Sequence, residues 1–332
     1  MILSRRDALR LAGATATATV TGPAVVAQDD PDDDLPAYDQ WLTLEDGALE
    51  FAYLDWGALS EVVQADLEEA DPGEEVPSEY ETDPMVGPVS EAALSTYLFV
   101  GLSLGQFRLG RLLEEGAFES TVDGLLQTPA AFVVTGDLMP EEIDAQLTAE
   151  PEAEFIRQFE STDEIAGADV YTPVDGTDDA AIAVDDDALA VATAAELGSE
   201  TEPTTALETT VGAAAGDVER ATEESEPFEW LLETAGGGDI VVGQYGDPSD
   251  PEFTFDGLED AEGVVSSLTA ADAETATGEF AALVDDPDEA ALEEVIGTSA
   301  DERDLDIDGD RVTATGTWRE DITATAGSGS MD

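Results

Sequence analysis

The sequence predicts an α+β protein, antiparallel sheets with helices packed on one face, and three observations lead there. A short apolar run, then Asp, then an amphipathic stretch occurs three times: "FAYLDWGALSEVV" from Phe51, "FVVTGDLMPEEIDAQL" from Phe132 and "FAALVDDPDEAALEEV" from Phe280. The second and third are each followed by alternating strands around a polar turn, "VDDDALAVAT" from Val184 and "IDGDRVTATG" from Ile307. That order predicts internally duplicated strand-helix-strand-hairpin units. Finally, 42% of the 332 residues are apolar, enough to bury a sizeable core in about two domains of roughly 150 residues each.

Taken in chain order, residues 1–27 read as a leader and 28–36 ("QDDPDDDLP") as an acidic linker. A first α+β domain is expected over 37–194. Within it Ala70 to Ser90, with Pro72, Pro77, Pro84 and Pro88, reads as a long loop. Ala92 to Gly105 ("AALSTYLFVGLSLG") is the most hydrophobic run beyond the leader. As a helix its length is about 21 Å, short of the ~30 Å hydrocarbon core of a bilayer, so a buried core helix is expected. Ala195 to Thr205 and Gly246 to Glu252 are breaks, and a second α+β domain is expected over 206–318. It begins with two helices across Thr205 to Ala235, the first carrying Leu207, Val211, Ala214, Val218 and Ala221 on one face. The strand "DIVVGQYG" follows from Asp239. In the Phe280 unit, Asp286 suits an N-cap, Pro287 the first helical position and Glu289 a capping box. Residues 319–332 are expected to form a flexible tail.

The charge sets the solvent. There are 80 Asp and Glu against 10 Lys and Arg, for a formal net charge of -70, and all ten bases are Arg. At molar salt the Debye length falls to about 3 Å, and carboxylates ~6 to 10 Å apart barely repel. In dilute buffer they would repel strongly, so the fold is expected to require salt. Such a surface of carboxylates with Ala, Thr and Gly resembles the proteins of extremely halophilic archaea, a resemblance of composition that implies hydrated salt cations at the surface. The same charge repels a polyanion, which argues against nucleic acid as a partner.

At the start, Ser4-Arg5-Arg6-Asp7-Ala8-Leu9-Arg10 precedes a mildly apolar stretch from Leu11 to Val26, and a small-residue site, Val25-Val26-Ala27, precedes the acidic run. This order resembles a twin-arginine signal peptide, matching at Ser4, Arg5, Arg6 and Leu9 and departing at Ala8, where many such signals carry Phe. The resemblance implies export through the twin-arginine translocase, cleavage after Ala27, and a protein working outside the cell or at its surface. With no Cys, a lipoprotein-type anchor is not expected, and no other retained membrane anchor is visible. One acid and three arginines precede the cleavage point, so the remaining chain would carry seven arginines and 79 acids, a charge of -72.

The residue types that are missing narrow the chemistry. No Cys means no disulfide, thiolate nucleophile or thiolate metal site. No His removes the usual neutral-pH base and every Ser-His-Asp arrangement. No Lys removes Schiff bases and the P-loop lysine. Gly101-Leu102-Ser103-Leu104-Gly105 has the form of a nucleophile elbow but lies in a helical pattern without a base. Gly236-Gly237-Gly238 follows a helix rather than a strand, the wrong order for a phosphate loop, and reads as a helix stop. Asp304, Asp306, Asp308 and Asp310 match the first half of a calcium loop. That loop would continue to an apolar residue and a bidentate Glu where this chain has Arg311 and Thr315. The competing reading is a β-hairpin with Leu305 and Ile307 facing the core. Paired carboxylates alone can hydrolyse glycosides, yet spacing selects none of the acids. The expected function is therefore an exported, salt-adapted protein acting as a non-enzymatic binding or interaction module, without a cofactor unless calcium binds. The alternatives are a carboxylate hydrolase of extracellular polysaccharide and a calcium-dependent surface protein.

Overall fold

Along Leu49–Asp55 (β1) the side chains alternate between two hydrophobic clusters: Leu49 and Phe51 enter one, Leu54 the other, and all three are buried. A strand buried on both sides needs cover on both sides, and that requirement organises the whole molecule. The computed structural model describes residues 35–60, 80, 82–114, 116–151, 156–177, 179–194, 201–248, 253–272 and 275–319.

A 3-10 turn, Ala37–Trp41, precedes β1, and residues 56–60 after it are helical. The chain continues through α1 (Gly87–Gln106), β2 (Gly124–Gln127), β3 (Phe132–Thr135), α2 (Pro140–Leu147), β4 (Phe159–Ile165), β5 (Ala168–Pro173), β6 (Ala180–Val184) and β7 (Ala188–Thr193). Then come α3 (Pro203–Ala215), α4 (Ala221–Glu224), α5 (Glu226–Ala235), β8 (Ile240–Tyr245), β9 (Ala261–Asp272), β10 (Thr275–Val284), α6 (Glu289–Val295), β11 (Glu302–Asp308) and β12 (Arg311–Arg319). The strands form one twelve-stranded sheet in the order β11-β12-β10-β9-β8-β1-β2-β3-β7-β6-β5-β4, antiparallel at every junction. The result is a mixed α/β protein, mostly sheet.

The two expected domain segments meet at β1 and β8, paired from Leu49↔Tyr245 to Leu54↔Ile240, so the sheet runs continuously through both. At that seam Phe51 lies opposite Gly243, where a Cβ would run into the Phe51 ring. Only glycine lets these two strands close over that ring.

Helices cover both faces, which corrects the expectation of one. Val89, Val100 and Leu104 of α1, Ile143 and Leu147 of α2 and Leu292 of α6 pack in the cluster that holds Leu54, Phe132, Ile182 and Phe280. Leu207 and Val211 of α3 and Phe228, Leu231 and Leu232 of α5 pack in the cluster that holds Phe51, Val133, Ala183 and Ala281. The physical reason is visible in β6 ("AAIAV") and β7 ("ALAVAT"): their apolar residues are consecutive, and every position is buried. Consecutive rather than alternating apolar residues are what a doubly covered strand requires.

Local corrections are small and have chemical causes. The cap of α6 is Asp288, whose side chain accepts from the N–H groups of Ala290 and Ala291, while Asp286 lies in a left-handed turn at φ 55 two residues earlier. Gly216, at φ 79, ends α3, so Val218 and Ala221 do not lie on it, and Asp217 and Val218 instead donate back to the Gly212 carbonyl. Thr205 to Ala235 accordingly holds three helices rather than two. Pro88 sits in the first turn of α1, where its missing N–H costs nothing, so the expected loop ends in helix. Residues 70–79 and 81 of that loop lie outside the described residues. In the last hairpin Asp308 pairs with Arg311, leaving Gly309 and Asp310 as the two-residue turn.

Candidate functional site

The export residues Ser4, Arg5, Arg6, Leu9 and Ala27 lie outside the described residues. Among those that are described, one group of acids lies at the seam. β1 ends in Asp55, and Asp239 stands just before β8; the Asp55 N–H donates to the Asp239 carbonyl at 2.7 Å. The Asp55 carboxylate caps the helical stretch behind it by accepting from Ala58 N–H at 2.9 Å. Asp239 accepts from Ala270 N–H at 2.8 Å. Burial pushes the Asp239 carboxyl above its ordinary range, the Ala270 N–H opposes the shift, and the charge of Asp55 adds to it. Burial, followed by the charges of Asp55, Asp123 and Asp239, pushes the nearby Tyr53 phenol up to about 12. Three carboxylates and a phenol thus sit near one another at the ends of neighbouring strands. Asp55 and Asp239 each spend an oxygen on a backbone N–H, the work of caps and strand ends.

Two other carboxylates are inside. Asp83 is fully buried: one oxygen accepts from Met85 N–H at 3.0 Å and Gly297 N–H at 2.9 Å, the other from Ser299 N–H at 2.9 Å and Ser299 Oγ at 2.6 Å. The Trp318 indole donates to the same Ser299 Oγ at 2.9 Å. Asp83 therefore ties the entry to α1 to the loop after α6 and to β12. Asp39, also buried, accepts from Thr222 Oγ1 at 2.8 Å, and a guanidinium nitrogen of Arg220 lies 3.9 Å from its other oxygen. Burial raises the Asp39 carboxyl, while the Thr222 hydroxyl and Arg220 pull the other way. Apart from the Met85 N–H two residues from Asp83, the donors to both carboxylates are brought up only in the folded chain.

A Ser-Tyr-Glu chain is the nearest approach to a catalytic relay. Ser225 Oγ donates to the Tyr245 oxygen at 2.9 Å, and Tyr245 donates to Glu262 at 3.0 Å. Ser225 is buried, however, and its Oγ also accepts from Phe228 N–H at 3.2 Å as the N-cap of α5. Ser103 of the elbow-like motif is buried within α1. Gly236 is the C-cap of α5, its N–H bonded to the Leu232 carbonyl, and the helix stop read at 236–238 falls there.

Asp304, Asp306 and Asp308 lie on β11, paired with β12 from Glu302↔Thr317 to Asp308↔Arg311, and Asp310 is in the turn. Leu305 and Ile307 pack against the core. A strand sets carboxylates two residues apart at about 6.6–7 Å, whereas calcium needs several oxygens at about 2.3–2.6 Å. This extended arrangement does not converge on one point as the calcium loop does. Of the tryptophans, Trp41, Trp56 and Trp318 are buried, and Trp230 has the Arg311 guanidinium 4.5 Å above its ring.

No known family's sequence profile matches the chain, and no curated protein matches it. Among solved structures it is similar to crystal form III of TP0453, with a TM-score of 0.43 and 8% identity over 85% of this chain and 93% of that one. Crystal form I of TP0453 gives a TM-score of 0.42 and 9% identity over 86% and 93%. A likeness this distant carries no inference about activity. What the fold itself defines is a mixed α/β protein built on one antiparallel sheet.

Proposed function

We propose that this chain is an exported, salt-adapted protein that works outside the cytoplasmic membrane as a non-enzymatic binding or interaction module, built from duplicated strand-helix-strand-hairpin units. The observation that carries the non-enzymatic reading is the side-chain inventory: no His, no Cys and no Lys in 332 residues. The gathered acids Asp55 and Asp239 hold backbone N–H groups, which supports a structural role for them. Export rests on the Ser4-Arg5-Arg6 motif and the small-residue site before Gln28. The duplication is supported by one shared feature, a strand followed by a helix and later by a hairpin whose second strand pairs back on the first. β3 is followed by α2 and, after the additional strands β4 and β5, by the β6–β7 hairpin, whose β7 pairs back on β3; β10 is followed by α6 and directly by the β11–β12 hairpin, whose β12 pairs back on β10.

Two measurements test the reading. Replacing Arg5 and Arg6 by Lys should shift the protein from the medium and cell surface to the cytoplasm; unchanged fractionation removes the export claim. Purified protein assayed in molar salt on a panel of acidic and neutral polysaccharides should release no reducing ends. Turnover that disappears in Asp55→Asn or Asp239→Asn would replace the module with a carboxylate hydrolase.

A further inference from the structure

We draw no further inference here: the strongest candidate, the sheet face at the β9–β10–β12 end on which Thr269, Thr277, Thr313, Thr315 and Thr317 stand side by side, is an unpartnered surface patch of half-buried and exposed hydroxyls, and nothing in the structure shows what covers it.

Discussion

Every residue of β6, β7 and β8 is buried and none is charged, whereas β4 and β11 at the two ends of the same sheet each expose five of seven residues. The exposed residues include Glu160, Asp163 and Glu164 on β4 and Glu302, Asp304 and Asp306 on β11. The centre is held by apolar cover on both faces, which salt does not have to create. The edges carry unpaired backbone groups, and their carboxylates discourage other strands from adding on. Acid therefore sits where the sheet stops, and the requirement for salt should be unequal across the molecule.

Removing salt should have the largest effect. As the concentration falls from molar to about 0.1 M, the Debye length grows from about 3 to 10 Å and carboxylates that ignored one another begin to repel. Circular dichroism should record loss of the fold at the low end. Hydrogen exchange at intermediate salt should show β4 and β11 opening before β6, β7 and β8. Uniform exchange across all five strands would break the contrast between centre and edge.

Next is a cavity in the centre. Phe132 on β3 is fully buried and meets Phe99 of α1 edge to face at 5.8 Å. Phe132→Ala should cost about 3–5 kcal/mol in molar salt, read as a lower denaturant midpoint with an unchanged slope. A cost near that of an edge substitution would mean the centre is not the stabilising core.

A smaller effect comes from the seam. The Asp239 carboxyl is raised above its ordinary range, chiefly by burial. Between the unfolded and the folded value the native state holds a proton that the unfolded chain has lost. Stability therefore falls as pH rises through that window and is flat above it. Asp239→Asn keeps an acceptor for Ala270 N–H and removes the titration, so it should melt slightly higher than the parent at neutral pH and with no difference below about pH 3.8. A lower melting temperature at neutral pH would show that the charge itself is needed.

The same division governs what the sequence revealed. Strands at Phe51, Phe132 and Phe280 and the turns at Asp185 and Gly309 follow from short-range pattern, because period-two alternation and turn residues act within a few positions. The Asp286 cap was misplaced by two residues because two acids flank Pro287 and only geometry selects Asp288. Cover on both faces was written in the unbroken apolar runs of β6 and β7, but runs that short also suit a buried helix. The Asp83 tie was out of reach: its donors at Gly297 and Ser299 lie 214 and 216 positions away. The Asp55–Asp239 contact likewise exists only because β1 and β8 pair.

The smallest effect tests the edge itself. Asp306 lies between Asp304 and Asp308 on one side of β11, and all three are exposed. At about 7 Å in water each neighbour repels it by roughly 0.6 kcal/mol before screening. Asp306→Asn should therefore stabilise the protein by up to about 1 kcal/mol at the lowest salt where it folds, and by nearly nothing at molar salt. Urea midpoints of parent and variant across a salt series would give the two curves, expected to converge as salt rises. If they stayed apart at molar salt, with the variant less stable throughout, Asp306 would be holding something that screening does not touch. The edge carboxylates would then be structural like Asp83, and no longer a solvent-facing guard that salt makes inexpensive to keep.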